Sequence, residues 1–567
     1  MLDGGYWGRR LRRRPLLKTG AGLAAGAASL ALVGCGGDDE DADETATPGP
    51  TAESSATASQ PTATADTSTA DEEGVLRLRQ ATIFSSINPW KGLDSGLLWG
   101  FSIFDHLFYT PFDTLKPELF LATSIEQPEP TTIVFTLGES VFHDKEPTNG
   151  RPVTAQDVVA SYETSRKQPS VSQTSFYTAV YKGMSAPDEH TVVCELNDVD
   201  AWAFTTAALS SPINGSIVPE QVAAEPSLMD QDLVGSGRFQ FVSHDNGTNF
   251  RIERFDDWRV PGEPLLKGIQ YKLIQEQAAA LAAFSAQEID QLALNNSLER
   301  EQLVQQHGDE VVITGDLSRS VWIIQGRADG KWADPRLREA INLGIDRQEY
   351  IDLMAIGDGV RSGYVPPSFG PVQPTEDEWE QGLWRFDPEE GKRILAEAGF
   401  DTSEELEIKY IVAGDNFAKQ AQIFKSQLEK NLGLKAKIVG EEFGQWLGVS
   451  LYGSNFKDFI LYPSIALEEP FSYLGVFQKD QGGRENWSRF FDDELDAAIT
   501  ASRTILDDEA RFAALRDIQR LAMTKAAPIF PTHVAQTNTA TWNYVKGRVL
   551  GRGSFGLFSG TTFIEKD

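Results

Sequence analysis

Only two cysteines, Cys35 and Cys194, occur in 567 residues, too few for a disulfide framework. Histidine is nearly as scarce. The six histidines, His106, His143, His190, His244, His307 and His533, lie far apart with no HExxH or CxxC pairing, which gives a dedicated metal site little support. The sequence has no GxSxG nucleophile elbow and no GxxxxGK[ST] phosphate loop. "GRGSFG" at 551–556 fits GxGxxG in form, but it lies near the end of the chain without room for a following βαβ unit, so it reads as a loop. Carboxylate pairs such as Asp256 and Asp257 are too numerous in so acidic a chain to single out a glycosidase dyad. No cofactor, metal or catalytic residue is therefore expected. Cations are also in deficit, 51 Lys and Arg against 83 Asp and Glu, a formal charge of −32, and this excludes a nucleic-acid partner. No internal repeat of 20 to 50 residues is visible, against a solenoid or propeller.

What is present begins with "RRRPLLKTGAGLAAGAASLALVGCGGDDED", residues 12–41. A cationic start (Arg9, Arg10, Arg12, Arg13, Arg14, Lys18) precedes a weakly apolar run from Thr19 to Gly34, then Cys35. That is the layout of an export signal, and the run is short of the roughly 20 residues a membrane-crossing helix needs. "RRPLLK" resembles the twin-arginine export motif, and "LVGC" resembles the lipobox of bacterial lipoproteins. The resemblance implies cleavage before Cys35 and acylation of its sulfur, so that residues 1–34 are a signal peptide and the mature chain is lipid-anchored outside the cell. Removing residues 1–34 takes away six cations and one acid and leaves −37. Residues 35–74 are rich in Ser, Thr, Ala, Pro and acids and lack aromatics. Such a segment cannot bury enough apolar surface to offset the entropy of ordering it, and it reads as a tether.

The body from Val75 to Asp567 is too long for a single core, and two or three domains are expected. Short strands such as "TIVFTL" and "NFRIERF" mix with amphipathic helices such as "DDEARFAALRDIQRLAMTK", where Phe512, Leu515, Ile518 and Leu521 recur at helical spacing behind Asp507 and Asp508. An α/β body follows. Cys194, in the alternating run "HTVVCELND", reads as a small half-buried strand residue. The glycines of "VGSGR" read as a tight strand connection using positive φ. "RLREAINLGIDR" reads as a helix with Leu337, Ile341 and Ile345 inside and its Arg and Asp residues outside.

Several stretches in a fixed order carry a resemblance over essentially the whole body. "IVFTLGESVFHDKEPTNGRPVTAQDVVASYE" (133–163), "LVGSGRFQFVSHDNGTNFRIERFDDW" (233–258), "AALAAFSAQEIDQLAL", "DPRLREAINLGIDRQEYIDLMAIGDGVRSGYVPPSFG" (334–370), "FDPEEGKRILAEAGF" and "NWSRFFDDELDAAI" resemble the extracellular solute-binding proteins of family 5, the peptide, dipeptide and nickel binders of ABC importers. Two departures stand out: the family's HDG reads "HDK" at His143–Lys145, with a short insertion before Val153, and its V-G-T-G-P reads "VGSGR".

The resemblance implies an α/β fold of the large two-lobed periplasmic-binding type, with a hinge between lobes and an extra subdomain in the first. Lobe I would span about 75–318 and 532–567, with the subdomain near 121–235, and lobe II 319–531. The hinge crossings would fall at "SRSVWIIQG" and "APIFPTHVA". The implied function is capture of a peptide or other small solute in the cleft, without chemistry, by a monomer that hands it to an ABC permease. By position against the family, Asn88, Trp90, Trp322, Trp446, Tyr462, Glu469, Trp487 and Arg489 are the ligand-binding candidates. Burial is the plain alternative for each tryptophan, and an ion pair with the neighbouring "DDELD" is the alternative for Arg489. Many peptide-binding members carry an aspartate that pairs with the peptide α-amino group; alignment on Pro470 places Ala466 there, so a free N-terminus is not the expected anchor unless Glu468 or Glu469 substitutes. The rival functions are an exported lipid-anchored hydrolase of cell-wall peptides, or a ligand sensor on the same scaffold.

Overall fold

Among the described residues apolar strands build three sheets of four or more strands, besides two two-stranded pairs, and the chain links the two largest through a pair of adjacent strands. The computed structural model describes residues 71, 73–83, 86–91, 99–110, 116–167, 177, 180–204, 209–211, 214–245, 248–370, 372–412, 415–464, 469–479, 486–547 and 560–565. The expected signal peptide, Cys35 and nearly all of the tether lie outside these residues, as do Ala466 and Glu468. Among the described residues no helix is long and apolar enough to cross a membrane.

The first sheet orders its strands Val311–Leu317, His533–Trp542, Gln291–Leu294, Val75–Gln80, Gly268–Leu273, Asn249–Arg254 and Phe239–Asp245, with Gly359–Arg361 pairing the start of His533–Trp542. Val75–Gln80 is parallel to both of its neighbours. The second sheet runs Lys435–Glu441, Glu405–Ile411, Phe459–Pro463, Trp322–Gln325 and Ile529–Pro531. Its first three strands are mutually parallel, and separate apolar clusters cover its two faces. The third sheet is antiparallel: Ala122–Glu129, Thr132–Leu137, Thr191–Leu196 and Tyr181–Ser185. In Thr191–Leu196 the Cys194 side chain is fully buried rather than half-buried, and burial pushes its thiol pKa up.

Two local readings need correction. Gly235 and Gly237 do not use positive φ. Their lack of a side chain admits another stretch of backbone: a Cβ on Gly235 would stand 2.1 Å from the Ile103 carbonyl oxygen, and one on Gly237 2.5 Å from that of Ser102. The buried His143 pins the same turn. Gly235 N–H donates to Nδ1 at 3.3 Å, so the ring proton sits on Nε2, which donates to Gly237 O at 3.0 Å. Burial lowers the His143 pKa to about 4.

The second correction concerns "RLREAINLGIDR". It forms two helices, Pro335–Leu343 and Arg347–Met354, capped by Asp334 and Asp346. Leu337, Ile341 and Ile345 are buried as expected, but Arg338 and Arg347 are buried with them. The Arg338 guanidinium donates to the carbonyls of Ala526 and Trp332, and Arg347 to those of Pro531 and Trp384 and to Asn342 Oδ1. A guanidinium has five donors in a fixed fork, and several carbonyls together satisfy it where water is excluded.

Candidate functional site

In an open sheet the crevice outside the carboxyl ends of parallel strands is where loops diverge and side chains converge. In the second sheet those ends are Ile411, Glu441 and Pro463. Trp322–Gln325 runs antiparallel to Phe459–Pro463, so Trp322 lies opposite Pro463 at the same edge, and Pro531 lies opposite Ile323. The chain therefore enters the second sheet from the first (317 to 322) and returns (531 to 533) at the edge where the parallel strands end. The two passages lie side by side. Thr532 N–H donates to Trp322 O at 2.9 Å, Ser318 N–H to Ala535 O at 2.9 Å, and Val321 N–H to Ser464 Oγ at 3.0 Å.

Aromatic side chains gather along this edge. Tyr462 meets Trp446 (ring centroids 6.3 Å, interplanar angle 64°) and Trp487 (6.1 Å, 77°), and Trp487 stacks on Tyr452 (5.2 Å, 28°). Trp322 packs edge-on against Phe417 at 5.6 Å and lies parallel to His533 at 6.2 Å. Such offset and edge contacts suit the ring quadrupoles. The rim is open: Tyr452 is 45 % exposed and Val412, just beyond Ile411, 62 %.

The polar groups beneath are arranged tightly. The Tyr462 hydroxyl donates to Gln325 Oε1, and burial raises its pKa. Trp446 opens a π-helical turn, Trp446–Leu451, a distortion common at functional sites. Its Nε1–H is buried and has no acceptor among the described residues. Glu441 Oε1 pairs with Lys409 Nζ at 2.9 Å, while Oε2 is buried without a donor among the described residues. Burial lowers the His533 pKa to about 4; Nδ1 faces the Thr532 hydroxyl at 3.0 Å.

Of the eight candidates, Trp322, Trp446, Tyr462 and Trp487 come together in one cluster. Glu469 is 6 % exposed at the start of the helix Pro470–Leu474 and accepts from the Ser472 hydroxyl at 2.9 Å. Arg489 is half-exposed with φ +54°, a left-handed conformation few non-glycine residues adopt. Its ion-pair partner is Asp329 at 3.5 Å, not the adjacent acids 492–496. Asn88 and Trp90 lie elsewhere, in the core under the first sheet. Asn88 donates to Pro226 O and Asp230 Oδ1 and accepts from Trp90 N–H, the pattern of a loop brace. Sequence reasoning passed over Phe417, Tyr452, His533, Gln325 and the Lys409–Glu441 pair. They share no signal in the sequence, and their convergence becomes visible once the strand order is known.

Comparison with known proteins agrees with this geometry. The family described as bacterial extracellular solute-binding proteins, family 5 Middle, matches residues 116–483. The periplasmic oligopeptide-binding protein OppA of Escherichia coli K12 is 24 % identical over 419 residues, covering 69 % of this chain and 76 % of OppA. Among solved structures, the murein tripeptide binding protein MppA in its unliganded open form superposes with TM-score 0.74 at 19 % identity, over 88 % of this chain and 99 % of MppA. DppA of Helicobacter pylori in complex with the peptide STSA gives 0.65 at 21 % identity, over 87 % and 98 %. The fold is thus the α/β two-lobed fold of periplasmic binding proteins, and the chain belongs to the family 5 bacterial extracellular solute-binding proteins.

Proposed function

We propose that this protein is an exported, lipid-anchored receptor that encloses a peptide or other small solute between its lobes and delivers it to an ABC permease. Lobe I comprises residues 75–318 and 532–567 with a subdomain near 121–235, and lobe II residues 319–531; the strand Gly359–Arg361 reaches back from lobe II to pair with lobe I. The observation that carries the reading is the aromatic group of Trp322, Trp446, Tyr462 and Trp487 at the edge where both interlobe strands cross. Rings supply apolar area to an enclosed solute, and the few polar groups orient it. Binding is the whole of the activity, and no bond is made or broken. The peptide class is supported by the ligands of the relatives, an oligopeptide for OppA and the peptide STSA for DppA.

The solute is not anchored by a free α-amino group at position 466, where this chain has alanine. A buried ammonium without a carboxylate is costly by several kcal/mol, and Glu469 is already engaged with Ser472. Calorimetry of a mixed peptide pool against its N-acetylated counterpart tests this. Equal binding is expected; binding abolished both by acetylation and by Glu469→Gln would restore an amine anchor. The parent reading is tested by native mass spectrometry of the purified body, in which a retained small solute of defined mass is expected. A body that carries none and binds no member of a peptide library would overturn it.

A further inference from the structure

The two crossing strands are not the only link between the lobes. After the strand Thr191–Leu196 the chain turns through residues 197–204, and this turn is held at both ends. Ala203 lies in the core of the four-stranded sheet, and Phe204 packs against it, its ring 5.7 Å from that of Phe108. Trp202, two residues earlier, points the other way. It is 1 % exposed and belongs to the apolar cluster of the second lobe, with Phe471, Leu474, Leu495 and Leu515. The Arg511 guanidinium lies over its ring at 4.8 Å. Beside it the fully buried Asp200 carboxylate accepts from Arg503 Nη2 at 2.9 Å and Nε at 3.1 Å, through one oxygen, Oδ2. Oδ1 accepts from Trp202 N–H at 2.8 Å, which fixes the turn, and Ala201 N–H donates to Arg503 O at 2.8 Å. Arg503 in turn covers the ring of Phe471, on the short helix Pro470–Leu474.

We propose that residues 200–204 are a clasp: a strap of the first lobe that locks into the second lobe and sets how far the ligand-free cleft stands open. The proposal rests on the hinge-closing reading above. The chemistry suits a releasable lock. One aromatic side chain and one ion pair concentrate the attachment in a small contact, and breaking either exposes a tryptophan or strands a buried charge, so the contact is held or released as a unit. The contact lies at the start of the helix Asp508–Thr524, whose other end leads into Ile529–Pro531. That strand finishes at the crossing edge, and the helix Pro470–Leu474, whose Phe471 lies under Arg503, is tied to the passage between the sheets by the Tyr473 hydroxyl, which donates to Arg319 O at 2.6 Å. Full opening of the cleft then requires Trp202 to leave its socket, and a solute that fills the cleft is retained by the same contact.

The test uses the full chain, verified free of solute by native mass spectrometry, with small-angle scattering and amide hydrogen exchange. The variants are Asp200→Asn, Arg503→Gln, their double and Trp202→Phe, each accepted only with unchanged far-UV circular dichroism. Asp200→Asn and Arg503→Gln are expected to increase the radius of gyration and to speed exchange at Ala201 roughly tenfold or more, as removal of one partner of a buried charge pair does. The double variant should open no further than either single, and Trp202→Phe should stay near the parent value. An unchanged radius in every variant, or a parent radius already equal to that of the singles, would overturn the clasp. These measurements need no solute, so failure of peptide binding leaves them intact, and peptide binding with an unmoved radius refutes the clasp alone.

Discussion

At Gly235 a single hydrogen stands where any other residue would place a methyl group 2.1 Å from the Ile103 carbonyl oxygen. Backbone cannot yield as a side-chain tip does, so Gly235→Ala should cost about 2 kcal/mol or more, read as a lowered urea midpoint; an unchanged midpoint would show that the two segments separate freely. The turn's other brace gives a pH prediction. His143 and His533 are buried as neutral rings with pKa values lowered to about 4 by burial, below the unfolded value of about 6.5. The unfolded chain therefore binds their protons first. The stability they confer is complete above about pH 6.5 and declines until the folded pKa near 4 is passed, by roughly 3 kcal/mol for each ring at most. Denaturation midpoints measured from pH 7 to 4 should fall accordingly, and His143→Gln should flatten the slope; an equal slope in that variant would contradict the assignment.

Among the elements, helix starts are written most openly in the sequence. Asp334, Asp346, Asp387, Asp492 and Asp507 each accept from backbone N–H groups of the first turn of the helix they precede. Asp507→Ala should cost about 1 kcal/mol, and a Tm equal to that of the parent chain would argue against the cap. The crossing strands are a second case. Their apolar runs are plain in the sequence, but their adjacency comes from pairing between residues some 200 positions apart, such as Ile323 with Pro531. Element periodicity misleads where it meets a buried cation. Arg338 and Arg347 sit at polar positions of an amphipathic pattern, yet both are buried because distant carbonyls of Ala526 and Pro531 receive them.

For the whole molecule the test is closure. If the lobes close about the neighbouring passages at 317–322 and 531–533, a bound solute should shrink the radius of gyration and change the fluorescence of the tryptophans at the cleft edge. Tight binding that alters neither would point to a rigid site. Anchoring is tested separately: Cys35→Ser should leave the protein unprocessed or released from the membrane, and membrane retention equal to that of the parent chain would remove the lipid anchor from the proposal.

Signals that depend on neighbours along the chain were legible without coordinates. The alternation of Thr132–Leu137 and Thr191–Leu196, the capped helix at Asp507 and the ordered family stretches reflect local periodicity and local hydrogen bonding, and they were enough to identify the family and its α/β fold. Of the site, the four aromatics that do converge were reachable by position. Asn88 and Trp90 were nominated in the same way and lie in another core, because position in a family says which strand end a residue follows but not which face it turns to. The tertiary structure alone decided the rest. Gly235 is needed because Ile103, 132 positions earlier, passes beside it. His533 joins Trp322, and Trp202, in a turn after the strand Thr191–Leu196, enters the socket beneath Arg511. Each of these is a contact between segments far apart in sequence, and no local pattern carries information about which distant surface will arrive to fill the space.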